Sequence, residues 1–510
     1  MPILLGAFPA ILVAQNDFDL DKRTAGALGS TLTLGVANAP ANNLGVAMVS
    51  FNSGPTNLAN YVPGETRSVQ VGTELIGAWY VYATNGSGAA NFNLNLPTNP
   101  AYHDLRFSWQ TLMLNSSGPV IGQISNSVRT QASIAGQGLL APAGLLAGRA
   151  FGAGFFDRDN DAGAGDFVVA GGGSGSLTSA TGLATSERWN FRTMTVSPGA
   201  TMGTARALHL PVRLNDGRVL VIGGADDTGT VLSTCEIYDP VSNSFSNTGS
   251  MATPRVLHAA CLLADGRVMV AGGTSSLVDT VTAITSTLSS AEIFNPATGT
   301  WSGAPSIGGR RLAPALTLLN NNQVMVSGGV EVVVVFGLPI SAVSTTTVQR
   351  WNPNTNAWSS GPNMSQGRAG HQYNQVTLND GRVLFTGGTN VPNLTGAANA
   401  APISGAELYN PATNSWQTAN MSAARALHSA TKLADGRVVV CGGAQGTLTT
   451  PSSIDGVELF DPSNNSWSPL PNLTSPRSGH NGALLPDGTV LLVGGQGASA
   501  TLTTIETLRL

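Results

Sequence analysis

The chain has 510 residues, of which 42% are hydrophobic and only 10% are charged, so it is long enough to bury two or more cores. Its net charge of −4 comes from 24 basic and 28 acidic residues spread along the sequence, which offers no basic stretch for nucleic acid or an anionic membrane. No apolar run approaches the roughly 18 residues that a membrane-spanning helix needs.

The N-terminal segment PILLGAFPAILVAQ (2–15) has an apolar core of the length found in secretion signals. It lacks the basic start and the small-residue cleavage site of such signals. Two interpretations stay open for residues 1–16: a leader remnant, or the first strand of the folded chain. The low charge and the many Gly, Asn, Ser and Thr residues favour a secreted or cell-surface bacterial protein.

Residues 17–133 alternate short β-type runs with Gly, Asn and Pro turns, which predicts a small antiparallel β-sandwich. The last part of this region, LRFSWQTLMLNSSGPVIGQISNSVRTQ (105–131), resembles a module of secreted planctomycete-type proteins. That resemblance implies export. The segment QASIAGQG (131–138) is the predicted linker to the rest of the chain.

Residues 134–510 repeat one phrase. It reads LNDGRVLVIGG at 214–224, LADGRVMVAGG at 263–273 and LADGRVVVCGG at 433–443, and it returns with changes at 319–329, 378–388 and 485–495. Each repeat continues to a Glu-x-aromatic-Asp/Asn-Pro step and then to an aromatic residue, with a period of roughly 50 residues that is typical of propellers and solenoids. Counting one degenerate copy, the repeats open at seven arginines: Arg149, Arg206, Arg255, Arg311, Arg368, Arg425 and Arg477.

Each repeat predicts four antiparallel strands, a to d. Asp-Gly between two apolar runs indicates a tight a–b hairpin with a primed turn. The Gly-Gly pair that ends strand b suits a place where two backbones approach closely. The proline after strand c stops further pairing, and the aromatic residue of strand d is a wedge that packs between neighbouring sheets.

The Gly-Gly pair, the Glu-x-aromatic-Asp/Asn-Pro step and the tryptophan together resemble the kelch repeat of bacterial secreted proteins and of the central domain of galactose oxidase. The resemblance implies an all-β chain with a seven-bladed kelch β-propeller over 134–510. The last repeat lacks a strand d, so residues near 137–142, around Leu139, are predicted to supply the outer strand that closes the ring.

The b–c connections differ in every repeat, whereas the a–b turns are uniform. Variable connections on a rigid scaffold are where binding specificity usually resides, so we expect a ligand on the face that the b–c connections form. Candidate residues there are Asp226 and Asp227, together with Val333 and Phe336 in the apolar stretch EVVVVFGLPI (331–340). That stretch either packs on a neighbouring element or forms an exposed interaction patch.

Five histidines, His209, His258, His371, His428 and His480, follow the opening arginine by three residues. Because the same residue recurs once per repeat, a repeated structural hydrogen bond is favoured over a shared metal ion. The arginines are expected to tie the d–a turn to main-chain carbonyls or to Glu236, Glu292, Glu407, Glu458 and Glu506. A ligand contact stays open for four of them: Arg206, Arg255, Arg368 and Arg425.

The first repeat replaces the Asp-Gly turn with DRDNDAGAGD (157–166), which resembles the calcium loops of integrin-type propellers. Asp157, Asp159, Asp161 and Asp166 would be the oxygen ligands. The run departs from that pattern because Ala162 stands where a glycine is expected and the last Asp comes one residue late. A calcium site and a solvated acidic turn both stay open.

The three cysteines, Cys235, Cys261 and Cys441, have no metal-type spacing and are expected to be small apolar core residues. Copper chemistry of the galactose oxidase type needs tyrosine and histidine ligands. Tyr373 is the one tyrosine of the propeller outside the repeat positions, so that chemistry is disfavoured. The sequence therefore predicts a secreted, non-catalytic recognition or scaffolding protein for a protein or glycan ligand. The alternative is a carbohydrate-active hydrolase or, less favoured, a copper oxidase that uses the same face.

Overall fold

A computed structural model describes residues 19–22, 24, 27–51, 54, 56–58, 62, 67–71, 79–115, 121–157, 165–173, 181–394, 400–447 and 450–510. The chain divides into two compact units, Met1–Ile134 (unit 1) and Ala135–Leu510 (unit 2). Within the described ranges, none of the helices combines the length and the apolar character needed to span a bilayer.

The described residues of unit 1 form two larger antiparallel sheets and one small one. One sheet has three strands, in the order Asp19–Lys22, Thr31–Ala37 and Ala90–Asn95. The other has the order Val128–Gln131, Arg106–Leu114, Leu44–Ser50 and Tyr80–Ala83, with Ile121–Ile124 also paired to Arg106–Leu114. Strands Thr56–Asn57 and Ser68–Val69 form the third sheet, and Pro100–Tyr102 is a 3-10 turn. The two larger sheets share one core, in which Leu34 and Val36 from one sheet meet Trp109 and Met113 from the other.

The described residues of unit 2 form seven four-stranded antiparallel sheets. In the order a, b, c, d their strands are as follows: sheet 1, Ala153–Phe156, Phe167–Ala170, Ser186–Asn190 and Thr195–Pro198; sheet 2, Leu210–Arg213, Val219–Ile222, Cys235–Asp239 and Ser244–Asn247; sheet 3, Ala259–Leu262, Val268–Ala271, Ala291–Asn295 and Thr300–Ala304; sheet 4, Ala315–Leu318, Val324–Ser327, Val348–Asn352 and Ala357–Ser360; sheet 5, Gln375–Thr377, Val383–Thr386, Ala406–Asn410 and Ser415–Thr418; sheet 6, Ser429–Lys432, Val438–Cys441, Val457–Asp461 and Ser466–Leu470; sheet 7, Asn481–Leu484, Val490–Val493, Ile505–Leu508 and Gly138–Leu140.

Strand a of each sheet lies innermost and contacts strand a of its neighbours. Each a strand contacts the next one in the series of sheets 1, 2, 3 and 4, and the same holds for sheets 5, 6 and 7. Strand a of sheet 7 also contacts strand a of sheet 1. Sheets 4 and 5 are joined by hydrogen bonds, of which Gln375 Nε2 to the Leu316 carbonyl measures 2.6 Å. The sheets therefore close into a ring around an axis.

The outer strand of sheet 7 comes from far earlier in the chain. Gly138–Leu140 pairs antiparallel with Ile505–Leu508, in the register Gly138 to Leu508 and Leu140 to Glu506. This pairing confirms the predicted role of the segment around Leu139. One core cluster also joins Leu491 and Ile505 of sheet 7 to Phe167 and Trp189 of sheet 1 across the seam.

The cores lie between neighbouring sheets because every strand b is buried on both faces. The strand-d tryptophans act as wedges, since each donates its indole N–H to a main-chain carbonyl that follows strand d of the preceding sheet. Trp301 donates to Gly249, Trp358 to Pro305, Trp416 to Pro362 and Trp467 to Ala419, over 2.7 to 2.9 Å.

The glycines act as the sequence predicts, but the a–b turn is of another type. In sheet 2 the Gly217 N–H donates to the Leu214 carbonyl at 3.0 Å, and Gly217 alone in this turn has a positive φ, +87°. Both types of primed turn need a positive φ at the first central residue. Neither central residue here, Asn215 or Asp216, has a positive φ, so the prediction of a primed turn was wrong. A turn followed by a left-handed glycine takes its place. At the end of strand b, a Cβ on Gly224 would lie 2.6 Å from the Ala207 carbonyl oxygen, which explains the Gly-Gly pair.

The b–c connections carry further secondary structure. The b–c connection of sheet 3 contains a short helix, Thr280–Thr285. In the b–c connection of sheet 4, Val330–Val335 and Leu338–Ser344 form a three-stranded sheet with Arg310–Leu312 of the preceding d–a connection. Short two-stranded sheets follow at Thr389–Asn390 with Ala401–Pro402 and at Ala444–Gly446 with Pro451–Ser453. Because the strands alternate in direction, all of this structure lies at the end of the ring that carries the b–c and d–a connections. We call this end the b–c face.

Candidate functional site

The repeat-opening arginines lie inside the sheets. In sheet 2, Arg206 Nη1 donates to the carbonyls of Gly223 and Thr234, both at 3.0 Å, and Nη2 donates to Glu236 at 2.7 Å. The same ion pair recurs between Arg255 and Glu292, Arg368 and Glu407, Arg425 and Glu458, and Arg477 and Glu506, over 2.8 to 3.0 Å. This confirms that the arginines hold the repeat together through carbonyls and the recurring glutamate.

The glutamate of each pair also caps the d–a turn. Glu236 accepts hydrogen bonds from the main-chain N–H groups of Gly203, at 2.8 Å, and Thr204, at 3.1 Å. The side chains of Arg206, Arg255, Arg368 and Arg425 are at most 1% exposed. Their guanidinium groups are therefore enclosed and paired within the sheets.

Sheet 4 departs from this pattern. Its arginine, Arg311, donates to the carbonyl and the hydroxyl of Thr347 at 2.9 and 2.8 Å, but Gln349 stands where the other sheets carry glutamate. Gln349 still caps the turn, accepting from the Gly308 N–H at 2.8 Å. The nearest compensating charge is Glu331, which lies directly opposite Arg311 in the three-stranded sheet. Burial lowers the pKa of Arg311, and Glu331 opposes that shift.

The repeat histidines are buried against the preceding sheet. His371 Nε2 lies 3.0 Å from Ser327 Oγ and His428 Nε2 lies 2.8 Å from Thr386 Oγ1, each hydroxyl being on the last residue of strand b. Sheets 1 and 2 end strand b with Ala170 and Ile222 instead, which offer no hydroxyl. His480 Nε2 lies 3.0 Å from Ser429 Oγ, which is on strand a of sheet 6. Among the described residues, the hydrogen bond predicted for these histidines therefore forms with a Ser or Thr of the preceding sheet for His371, His428 and His480.

The environment of the histidines favours the neutral ring. Burial, together with nearby Arg255, lowers the pKa of His258 to about 3, and burial with Arg477 does the same for His480. His209 is affected in the same way, also to about 3. Among the residues that the structure describes, no three His, Cys, Asp or Glu side chains come together as metal ligands would.

One residue per repeat, two positions after the arginine, has a positive φ. These collar residues are Phe151, Leu208, Leu257, Ala313, Gly370, Leu427 and Gly479, with φ between +51° and +71°. The N–H of Leu208 donates to the Phe151 carbonyl at 3.0 Å, and that of Phe151 donates to Gly479 at 2.9 Å. The left-handed backbone thus joins neighbouring sheets around the axis, and the half-buried collar side chains surround it at the b–c face.

Tyr373 reaches across the ring from sheet 5. The spacing from Arg368 to Asp380 is two residues longer than the spacing from Arg206 to Asp216, and the extra residues form a turn before strand a. From this turn the Tyr373 hydroxyl donates to the His209 carbonyl, 3.2 Å away, beside sheet 2. Gln372 accepts from the Leu316 N–H at 2.8 Å and donates to the Ala260 carbonyl at 3.0 Å. The insertion therefore braces sheet 5 against sheets 2, 3 and 4.

The stretch 331–340 is a β-hairpin and not a loop. One face, with Val330, Val332 and Ala342, packs on Ile284 of the short helix and on neighbouring connections. The other face is open: Leu338 is 68% exposed and Phe336, at the tip, is completely exposed. The stretch therefore packs on neighbouring elements with one face and exposes an apolar patch on the other, which are the two alternatives that the sequence left open. Val333, a predicted binding residue, lies on the open face.

The two aspartates predicted to bind ligand lie in the b–c connection of sheet 2. Asp226 shapes a tight turn, since its carboxylate accepts from the N–H groups of Thr228 and Thr230, both at 2.9 Å. Slight burial opposes the shift, but these hydrogen bonds lower the pKa of Asp226. Asp227 is exposed on the same connection. Of this pair, Asp227 is the carboxylate directed to solvent.

Two of the four predicted calcium ligands lie in the described part of the chain. Asp157 and Asp166 come together on Arg188, which forms an ion pair with each carboxylate, and Asn190 donates to Asp166 at 2.7 Å. A guanidinium thus occupies the position that a cation would take between these carboxylates. Asp159 and Asp161 fall outside the described residues, so the calcium site predicted for residues 157–166 stays a prediction.

The three cysteines are free thiols, of which Cys235 and Cys441 are buried and Cys261 is partly buried. Burial raises the pKa of each thiol to about 12, which keeps it protonated and unreactive at neutral pH.

Sequence comparison identifies kelch motifs in unit 2. The kelch-motif model matches residues 211–252, 255–308 and 433–474, which fall in sheets 2, 3 and 6. No curated protein matches the sequence.

Two solved structures are similar to this chain. A fungal alcohol oxidase of the AA5 family, in complex with copper, is 18% identical with a TM-score of 0.53, over 72% of this chain and 75% of that chain. The structure of YjhT is 15% identical with a TM-score of 0.46, over 64% of this chain and 98% of that chain. The kelch motifs and the ring of four-stranded antiparallel sheets agree, and unit 2 has the fold of a kelch propeller.

Proposed function

We propose that the protein is a non-catalytic recognition protein whose seven-bladed propeller binds another protein through the b–c face. The observation that carries this proposal is the hairpin Val330–Ser344, whose open face presents Val333, Leu338 and a fully exposed Phe336. A large apolar side chain that contacts nothing of its own fold is costly in water, so an exposed cluster of this kind marks an interaction site.

The chemistry of the hairpin favours a protein over a glycan. Apart from Glu331, which faces Arg311, the stretch 330–344 contains no charged side chain, and its exposed face is mostly aliphatic. Sugar recognition needs several polar side chains for the hydroxyl groups, and these are few here. A partner with its own apolar surface fits the hairpin better.

The polar residues near the axis have structural roles. Tyr373 and Gln372 bind main-chain carbonyls of neighbouring sheets, and Asn374 lies 3.3 Å from His428 Nδ1. An enzyme on this face would need a nucleophile, a base and an orienting group directed at a substrate. The engagement of these side chains within the ring supports the non-catalytic proposal.

The proposal extends to two further features, the location of the protein and the fold of unit 1. Composition supports export from the cell, and the shared core of the two larger sheets supports the interpretation of unit 1 as a small β-sandwich. Detection of the protein in culture medium tests the first of these points.

The binding proposal is tested by capture from extracts of the producing organism on immobilised full-length protein. A specific partner should be retained by the wild type and lost from the double variant Phe336→Asn, Leu338→Ser. Val241→Ser is the matched control, because Val241 is 93% exposed but lies on a c–d turn at the opposite end of the ring. Equal capture by all three proteins would remove the hairpin from the binding face.

A further inference from the structure

We infer that the open face of the hairpin Val330–Ser344 is a self-association surface, so that the partner it fits is a second copy of this chain. The inference deepens the proposed function and rests on it, because it names the occupant of the same face. It is argued from the turn at the tip, the open edges of the hairpin and the character of the exposed side chains.

The residue at the tip of the hairpin, Phe336, is one that this type of turn disfavours. Phe336 and Gly337 form a two-residue connection in which both have positive φ, +50° and +80°. Asn-Gly is the preferred pair for such a turn, because asparagine tolerates the left-handed region better than an aromatic residue does. Phe336 is strained and also fully exposed, so it gains nothing from the fold. Local conflicts of this kind are expected at functional positions.

Among the described residues, no further strand flanks the outer half of the hairpin on either side. Arg310–Leu312 pairs only with Val330–Val332, which leaves Val333–Val335 without a second partner. On the other side, Leu338–Ser344 is the edge of its sheet, and Ser344 alone bonds outward, to the Val391 carbonyl at 2.9 Å. An isolated two-stranded ribbon is only marginally stable in water, so an additional packing surface would stabilise it.

The side chains on the open face are mostly apolar, so they favour contact with another apolar surface. Val333, Val335, Leu338 and Val343 share that face, with Phe336 at the tip and Ile340 beside the bulge. Glu331 lies on the same side at the base of the hairpin, paired with Val343 and opposite Arg311. The other side chains of this face bring no charge to a contact with an identical face. Their exposed area is on the order of several hundred Å², close to what one partner contributes to a standard interface.

A twofold axis makes this surface complementary to itself. In an isologous dimer the same surface patch of each copy forms the interface, so one apolar face supplies both sides of the contact. Pro339 interrupts hydrogen bonding along the edge strand, which favours face-to-face packing of the two hairpins over a continuous sheet. An anionic membrane is a poorer occupant, since no lysine or arginine lies between residues 330 and 344.

The test is sedimentation equilibrium of the full chain over a range of concentrations up to tens of micromolar. The wild type should approach twice the 52.0 kDa of one chain. Phe336→Asn should weaken the dimer at least tenfold, and Phe336→Asn with Leu338→Ser should be monomeric. Because Phe336→Asn creates the preferred Asn-Gly turn, loss of folding does not explain loss of the dimer. Val241→Ser should behave as the wild type.

The outcomes separate this inference from the proposed function. A monomeric wild type overturns self-association, and if a different protein is still captured through Phe336 and Leu338 the proposed function stands. A monomeric wild type that captures nothing through the hairpin overturns both. A dimer that survives the double variant places the dimer contact elsewhere and overturns the inference.

Discussion

The hydroxyl of Tyr373 donates a hydrogen bond to the main-chain carbonyl of His209, from sheet 5 to sheet 2 across the interior of the ring. The repeats themselves join only neighbouring sheets, through collar hydrogen bonds and tryptophan wedges. The two-residue insertion before strand a of sheet 5 therefore adds a connection that the repeat pattern does not contain.

Tyr373→Phe removes this hydrogen bond and nothing else. We expect a loss of about 1 kcal/mol in stability, seen as a lower melting temperature. Hydrogen exchange should become faster at the start of strand a in sheet 2. The control is Tyr409→Phe, which removes a bond to Asn414 within sheet 5, so its effect on exchange should remain in that sheet. Unchanged exchange in sheet 2 would contradict a cross-ring brace.

Gln349→Glu should stabilise the protein. It restores the carboxylate that pairs with the arginine in every other sheet, and Arg311 is already buried at 1% exposure. A charge-assisted hydrogen bond to a buried guanidinium should contribute about 1 kcal/mol net, measured as a higher melting temperature. The reverse change in sheet 2, Glu236→Gln, should cost about 3 kcal/mol, because it leaves Arg206 buried without a counter-charge. A Gln349→Glu variant that melts lower than the wild type would refute this account of sheet 4.

Arg188→Ala should destabilise sheet 1 and make it sensitive to calcium. Asp157 is 1% exposed and would lose its guanidinium partner, which should cost about 3 kcal/mol. Millimolar calcium should raise the melting temperature of the variant, since Ca²⁺ can replace the lost positive charge between Asp157 and Asp166. The wild type should respond little. A wild-type protein that carries tightly bound calcium on elemental analysis would instead support a site formed with Asp159 and Asp161.

Stability should fall as the pH is lowered from about 6.5. The buried histidines have folded-state pKa values below the ordinary value of 6.5, and those of His209, His258 and His480 are about 3. At a pH between these two values, the unfolded chain binds more protons than the folded chain. The stability that a neutral buried histidine contributes is therefore fully present above the unfolded-state pKa and is lost as the pH falls toward the folded-state pKa.

The measurement is the free energy of unfolding, or the melting temperature, across this range. Each such histidine should contribute up to about 1.4 kcal/mol per pH unit. His258→Leu should reduce the slope and keep the stability at neutral pH, because both ring nitrogens of His258 lack a hydrogen-bond partner among the described residues. An unaltered slope would mean that His258 does not titrate on unfolding in this range.

The repeated features of the ring could be predicted from the sequence because each rests on local chemistry. Asp-Gly and Gly-Gly pairs, the proline after strand c and the strand-d tryptophan act within one repeat or between adjacent ones. The predicted outer strand at Leu139 also followed from the pattern, since the last repeat lacks one strand. The turn type was wrong because Asp-Gly suits both a primed turn and a turn with a left-handed glycine.

The features outside the repeat needed the structure. Alternating side chains in EVVVVFGLPI could have indicated a hairpin, but the run of four valines hides the alternation between faces. The left-handed collar was missed because Leu, Phe and Ala rarely adopt positive φ, and only Gly370 and Gly479 hint at it. The insertion before Tyr373 could have been found by comparing the spacing from arginine to aspartate in each repeat.

The pairing of Gly138–Leu140 with Ile505–Leu508 joins positions 368 residues apart, as the bond from Thr507 Oγ1 to the Leu139 carbonyl records. Closing so long a stretch of chain costs more entropy than forming any hairpin within a repeat, unless the intervening sheets have already brought the two segments together. We therefore expect the seam to be the last part of the ring to assemble and the first to open. Proteolysis between Ala141 and Gly148 would leave that strand held by non-covalent contacts alone, so the lifetime of the folded ring depends on this one short strand.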